Sequence, residues 1–165
     1  MLEQNIVEIT QALPKQASEI QQFLKIVWKE TYGDHLSEST LNHVYKNYQT
    51  QEFLLKQIQN TEMYFPLVTK RQKVIALATA YISGETIALF RLFVDHRYQR
   101  KGIATLLLTD VIRHFSNAAK IQLYVETLNQ HARNFYNKRG FIEMKKELEK
   151  IGNQVVEQIL LEKIL

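Results

Sequence analysis

The stretch LFRLFVDHRYQRKGIATLLLTDVIRHF, residues 89–115, changes character twice. LFRLFV (89–94) is an apolar run that reads as a strand. IATLLLTDVIRHF (103–115) carries Ala104, Leu107, Leu108, Val111, Ile112 and Phe115 on one helical stripe. Between them Arg97, Tyr98, Arg100 and Lys101 crowd against Gly102. A helix N-terminus exposes backbone N–H groups without partners, and its dipole adds positive potential. Residues 100–105 supply those donors, and Gly102 lets a ligand approach the backbone where a Cβ would intrude. With the flanking cations, this is a phosphate cradle built without a P-loop. Charge and periodicity alone fit a solvated basic turn equally well.

Outward from this turn the chain keeps a readable order. NIVEIT (5–10) reads as a first strand, and Pro14 opens a helix whose stripe is Ile20, Phe23, Leu24, Val27 and Trp28, ended by Gly33. A second helical region follows, with Leu41, Val44, Tyr45, Tyr48, Phe53, Leu54 and Ile58. MYFPLVTK (63–70), KVIALATAYIS (73–83) and TIALFRLFV (86–94) form an antiparallel meander. Beyond the helix at 103–115, KIQLYVE (120–126) is a strand and residues 129–139 a short helix, with Asn129 as its N-cap and Gly140 at C′. FIEMKKELEKI and QVVEQILLEKI close as a hairpin around Gly152-Asn153. This order predicts an α+β fold in three α/β/α layers. Its sheet is mixed and mostly antiparallel, of about seven strands, with helices on both faces.

Composition narrows the function. With 165 residues and no linker or repeat, the chain is expected to be a single domain over residues 1–165. The net charge of +4 suits an anionic ligand and falls short of a nucleic-acid coat. No cysteine is present, so disulfides, thiolate nucleophiles and cysteine-ligated metals are excluded. The five glycines are isolated, which excludes a Walker A loop and a G-x-G-x-x-G fingerprint. The longest uncharged stretch, Val74 to Gly84, is too short for a bilayer, and MLEQNIVEI lacks a signal-peptide layout. A cytoplasmic location is expected.

Gln99-Arg100-Lys101-Gly102-Ile103-Ala104 resembles the Q/R-x-x-G-x-G/A motif of the GNAT superfamily of N-acetyltransferases. Asn129, Ala132, Phe135, Tyr136, Lys138, Gly140 and Phe141 match a second family pattern, N-x-x-A-x-x-F-Y-x-K-x-G-F, one helix and one strand downstream. The resemblance implies acetyl-CoA as co-substrate and direct transfer to an amine. It places the pantetheine arm on Leu92, Phe93 and Val94, and the phosphates on Arg100, Lys101, Gly102, Ile103, Ala104 and Thr105. Asn129 and Lys138 join the cofactor site, and Tyr136 is the catalytic acid for the departing sulfur. No metal is implied.

The chain departs from the family at the general base. Many relatives carry a glutamate in the middle of the strand before the turn, where this sequence has Ala88-Leu89-Phe90-Arg91. Ribosomal-protein N-terminal acetyltransferases carry one five residues before the motif asparagine, where Tyr124 stands. Glu126, Glu85, Glu30, Asp34 and Glu38 remain, as does a base acting through water. In this family the segment between the first two helices selects the acceptor. Here ETYGDHLSE (30–38) places Glu30, Asp34 and Glu38 in a basic protein, either as a solvated loop or as a cation-attracting substrate-binding wall. RLFVDHRYQRKG is also similar to bacterial spermidine/spermine N-acetyltransferases, which makes a polyamine or other small amine the leading acceptor. A protein amine and a non-catalytic acyl-CoA sensor are the alternatives. The expected partners are acetyl-CoA and a small amine, with no nucleic acid and no membrane; a homodimer is left open.

Overall fold

The computed structural model describes residues 7–165. The first strand, β1, is Glu8–Gln11; Asn5 and Ile6 of the expected NIVEIT strand lie outside the described residues. A 3-10 turn at Pro14–Gln16 leads into α1 (Ala17–Tyr32). The second helical region is two helices, α2 (Glu38–Tyr48) and α3 (Gln51–Gln59). Each has its own N-cap: Ser37 Oγ accepts from the Thr40 N–H at 3.1 Å, and Thr50 Oγ1 from the Phe53 N–H at 3.1 Å.

The meander is β2 (Met63–Tyr64), β3 (Pro66–Lys70), β4 (Lys73–Ser83) and β5 (Thr86–Val94). Among the described residues the sheet has eight strands, in keeping with the expected mixed, mostly antiparallel sheet of about seven. Pro66 has no N–H to donate, and the expected strand at 63–70 is interrupted beside it. Next come α4 (Ile103–His114), β6 (Lys120–Glu126), α5 (Gln130–Asn137), β7 (Ile142–Ile151) and β8 (Gln154–Ile164). The order across the sheet is β1-β3-β4-β5-β6-β8-β7, with β2 pairing β4 off that path.

Two apolar layers hold the helices to the sheet. Ile20, Leu24, Leu54, Phe65 and Leu77 are wholly buried where α1 and α3 cover one face. Leu107, Val111, Ile87 and Ile121 are wholly buried under α4 on the other, where Tyr136 of α5 joins the same cluster. Truncating one such leucine to alanine costs about 2–5 kcal/mol. Every pairing is antiparallel except β5–β6. That one parallel contact positions the site.

Candidate active site

Strands β5 and β6 pair only through Thr86↔Lys120, Ile87↔Ile121 and Ala88↔Gln122, and then part. A bulge helps to open them. On the β4 side, Ala80 pairs with Leu89 and Thr79 with Arg91, which leaves Phe90 without a partner. Past that point the edge of β5 that faces β6 has no neighbouring strand to bond. A cleft fills the wedge, lined on β5 by Leu89–Val94, on β6 by Leu123–Val125, and at its ends by α1, α4 and α5. Backbone groups that a closed sheet would use are free to bind an extended amide-bearing ligand.

One end of the cleft is the start of α4. Asp95 caps the 3-10 turn His96–Tyr98, accepting from the Arg97 N–H at 2.9 Å, and pairs with the Arg97 guanidinium at 2.6 Å. That guanidinium holds the Asp95 carboxyl below its ordinary range. Gln99 ties the turn to the strand by donating from Nε2 to the Val94 carbonyl at 3.1 Å. Arg100 (φ 60°) and Gly102 (φ 82°) both adopt left-handed backbone, and no side chain caps α4. The first intrahelical bond is Leu106 N–H to Gly102 O at 2.9 Å, so the N–H groups of Ile103, Ala104 and Thr105 have no helical partner. A Cβ placed on Gly102 would meet nothing within 4 Å, so the protein leaves that space open.

A fixed cation stands beside these donors. Arg139 donates from Nε to Thr105 Oγ1 at 3.1 Å and from Nη2 to the same oxygen. Its Nη1 reaches the Phe135 carbonyl at 2.8 Å, and the guanidinium lies over the Phe135 ring at 3.7 Å. Arg139 lines the cleft, whereas two expected cofactor residues do not. Lys101 turns its ammonium onto the Arg97 carbonyl (3.2 Å) and the Tyr98 ring (5.3 Å). Lys138 is the exposed C-cap of α5. Arg100, Gly102, Ile103, Ala104, Thr105, Asn129 and the Leu92–Val94 strand all line the cleft.

The other end is built from side chains of distant elements. Tyr136 is 6% exposed, packed edge-on against Phe135 and Phe141, and still lines the cleft. Burial pushes its phenol well above the ordinary value; nearby Tyr32 adds to this and Arg139 opposes it. Tyr32, the last residue of α1, also lines the cleft. Its pKa rises to about 12 through burial and the Glu126 charge, and the Asn129 side chain pulls it back. Asn129 Oδ1 caps α5 by accepting from the Ala132 N–H at 3.1 Å, and its amide nitrogen faces the Tyr32 hydroxyl at the cleft wall. Glu126, at the end of β6, is not in the lining, although Tyr32 feels its charge; burial raises its carboxyl and His35 opposes the shift.

The expected acidic wall is elsewhere. Glu30 is exposed and acts on Arg97, Asp34 lines a shallow separate hollow with His35 and Gln154, and Glu38 opens α2. None of the three lines the cleft; Glu30, in the last turn of α1, Asp34, in the connection, and Glu38, at the start of α2, are all exposed. Residues that the sequence reading missed are Tyr32, which it left uncounted at the end of the α1 stripe, Arg139, one position past the motif lysine, and Arg91. Among the described residues no cluster of three or more metal-ligating side chains occurs. No helix among them is long and apolar enough to cross a membrane.

The family model described as an acetyltransferase (GNAT) domain matches residues 17–158. A comparison with curated protein sequences finds no match. The fold is similar to that of the PaiA N-acetyltransferase of Thermoplasma acidophilum in complex with coenzyme A. The TM-score is 0.83 and the identity 22%, over 96% of this chain and 99% of that one. It is also similar to a GNAT-family acetyltransferase of Staphylococcus aureus (TM-score 0.76, 19% identity, 96% and 99% covered). A third likeness is to the ribosomal-protein-alanine N-acetyltransferase of Escherichia coli (0.71, 17%, 96% and 94%). At these identities the solved structures speak to the fold.

Proposed function

Because the chain belongs to the GNAT family of acetyltransferases and is an acetyl-CoA-dependent acyltransferase, we propose that it transfers the acetyl group directly to the primary amine of a small acceptor. One observation carries this reading: the cleft between β5 and β6 has free helix N–H groups at one end and two phenols, buried Tyr136 and half-buried Tyr32, at the other. The N–H groups of Ile103, Ala104 and Thr105, with Arg139, suit the phosphates of acetyl-CoA. The unpaired edge of Leu92–Val94 and the amide of Asn129 suit the pantetheine arm.

Acetyl-CoA supplies an activated thioester. The acceptor nitrogen forms a C–N bond to the acetyl carbon as the C–S bond breaks. The departing sulfur needs a proton, and Tyr136 is the donor: its raised pKa keeps the phenol protonated at neutral pH. Before attack the amine must lose its own proton. Glu126 is outside the cleft lining and close enough for Tyr32 to feel its charge, so we take water as the immediate acceptor and Glu126 as the carboxylate beyond it. A chain without cysteine is consistent with the absence of an acyl-cysteine stage.

A polyamine acceptor drew its support from Glu30, Asp34 and Glu38 as well as from the turn motif. With those acids off the cleft lining, the amine is retained and a polycation loses its counter-charge. Thiol release from acetyl-CoA across a panel of amines tests the proposal. Amine-dependent release with one acetylated amine per thiol supports it. Acetyl-CoA binding without release for any amine would overturn it.

A further inference from the structure

Arg91 is on the face of β5 turned toward α1–α3, the face shared with Phe93 and Tyr32 and opposite to Leu92 and Val94. Its guanidinium donates from Nη1 to Gln57 Oε1 at 2.7 Å and Thr79 Oγ1 at 3.4 Å, and from Nη2 to the Tyr48 carbonyl at 3.2 Å. All three partners are neutral. Arg91 is half-buried, and desolvation lowers its pKa to about 10; among the described residues no carboxylate is paired with it. The paired arginines differ: Arg97 has Asp95 and Arg133 has Glu143. A guanidinium taken out of water without a counter-charge is expensive, and the cost is recovered when an anion arrives in register with its fork.

Arg91 also lines the cleft, on the wall where α1 and the α2–α3 junction meet β5. Glu52, in the first turn of α3 beside that junction, is exposed and pairs with Lys56, Glu30 is exposed, and Asp34 lines the separate hollow. A polycation entering here would face a fixed positive charge, whereas a carboxylate would meet donors already oriented.

We propose that Arg91 recognises an anionic group of the acceptor, so that the amine acetylated by this protein also carries a carboxylate, as an amino acid or short peptide does. This rests on the direct amine-transfer reading above and narrows its substrate class. Gln57 and the Tyr48 carbonyl hold the guanidinium still, and the amine extends toward Tyr136.

The test compares kcat/KM for amino acids and dipeptides with that for their C-terminal amides, a simple monoamine and spermidine. The wild type should prefer the free carboxylates by about tenfold or more, the scale of a charge-assisted hydrogen bond. Arg91→Gln should erase that preference by raising acceptor KM about 10–100-fold for carboxylates alone, leaving acetyl-CoA KM within about twofold. Gln57→Ala loosens the clasp and keeps the charge, so it should retain the preference. If Arg91→Gln does not fold, the wild-type ratio and Gln57→Ala decide the matter. Turnover with equal use of amides or better use of spermidine would overturn the Arg91 assignment and leave amine transfer standing. A uniform loss for all acceptors in Arg91→Gln would reduce the residue to a structural clasp. No release with any amine would overturn both readings.

Discussion

The two ends of the cleft are built from different materials. The α4 end is backbone: a contiguous segment, residues 95–105, turns through left-handed Arg100 and Gly102 and leaves helix N–H groups free. The phenol end is assembled from side chains far apart in sequence, with Tyr32 on α1, Arg91 on β5, and Asn129 and Tyr136 at α5. A backbone cradle tolerates changes in neighbouring side chains, because its donors do not depend on them. A side-chain site does not tolerate them. Substitutions at the first end should therefore act weakly unless they remove Arg139 or distort the turn, while single changes at the second should be severe.

The largest effect is expected at Tyr136. Tyr136→Phe keeps the packing ring and removes the proton donor, and kcat should fall about 10²–10⁴-fold with acetyl-CoA KM little changed. Steady-state kinetics with a good amine would show this, and a change within about twofold would leave Tyr136 with packing alone.

Arg139 is the side chain that couples the two ends. Arg139→Ala removes a guanidinium anchored on Thr105 and Phe135, and acetyl-CoA affinity should weaken about tenfold by calorimetry, less at high salt. Lys101→Ala and Lys138→Ala serve as the contrast. Both cations are off the lining, and each should change affinity by less than about threefold.

The phenol end should also show in alkaline stability. Burial holds both Tyr32 and Tyr136 protonated beyond the ordinary value. Their contribution is intact below about pH 10, where an unfolded tyrosine titrates, and is lost as pH rises from there through the folded values. For Tyr32 that window closes at about 12. Denaturation midpoints should fall across this range, and the slope should lessen in a Tyr32→Phe variant. The smallest effect is expected from Glu30→Gln, Asp34→Asn, Glu38→Gln together. All three are off the cleft, so acceptor KM should move by less than about twofold. A larger change confined to spermidine would restore the acidic wall.

This contrast also explains what could be read from the sequence. The α4 cradle was legible because its parts are adjacent: a strand pattern, a glycine, then a helix stripe. Asn129 and Tyr136 were legible through a local motif. Tyr32 was not, because at the end of an amphipathic stripe an aromatic reads as core, and only the parting of β5 from β6 turns it into a wall. Arg91 was legible as a departure from a glutamate, yet its desolvation depends on Gln57 and Tyr48, from helices that no spacing rule connects to β5. The acids at 30–38 differ again: they are not among the residues that line the cleft. Their charge is visible in the sequence, but where they sit relative to the cleft is set by how α1 and α2 pack on the sheet. Phe90 likewise gives no sign of its bulge until paired with β4.

A crystal structure with coenzyme A bound tests the central claim most directly. It should place phosphate oxygens about 3 Å from the N–H groups of Ile103, Ala104 and Thr105. The arm should run along Leu92–Val94, with the sulfur in hydrogen-bond reach of the Tyr136 hydroxyl. Phosphates bound away from α4, or a sulfur remote from Tyr136, would contradict the account.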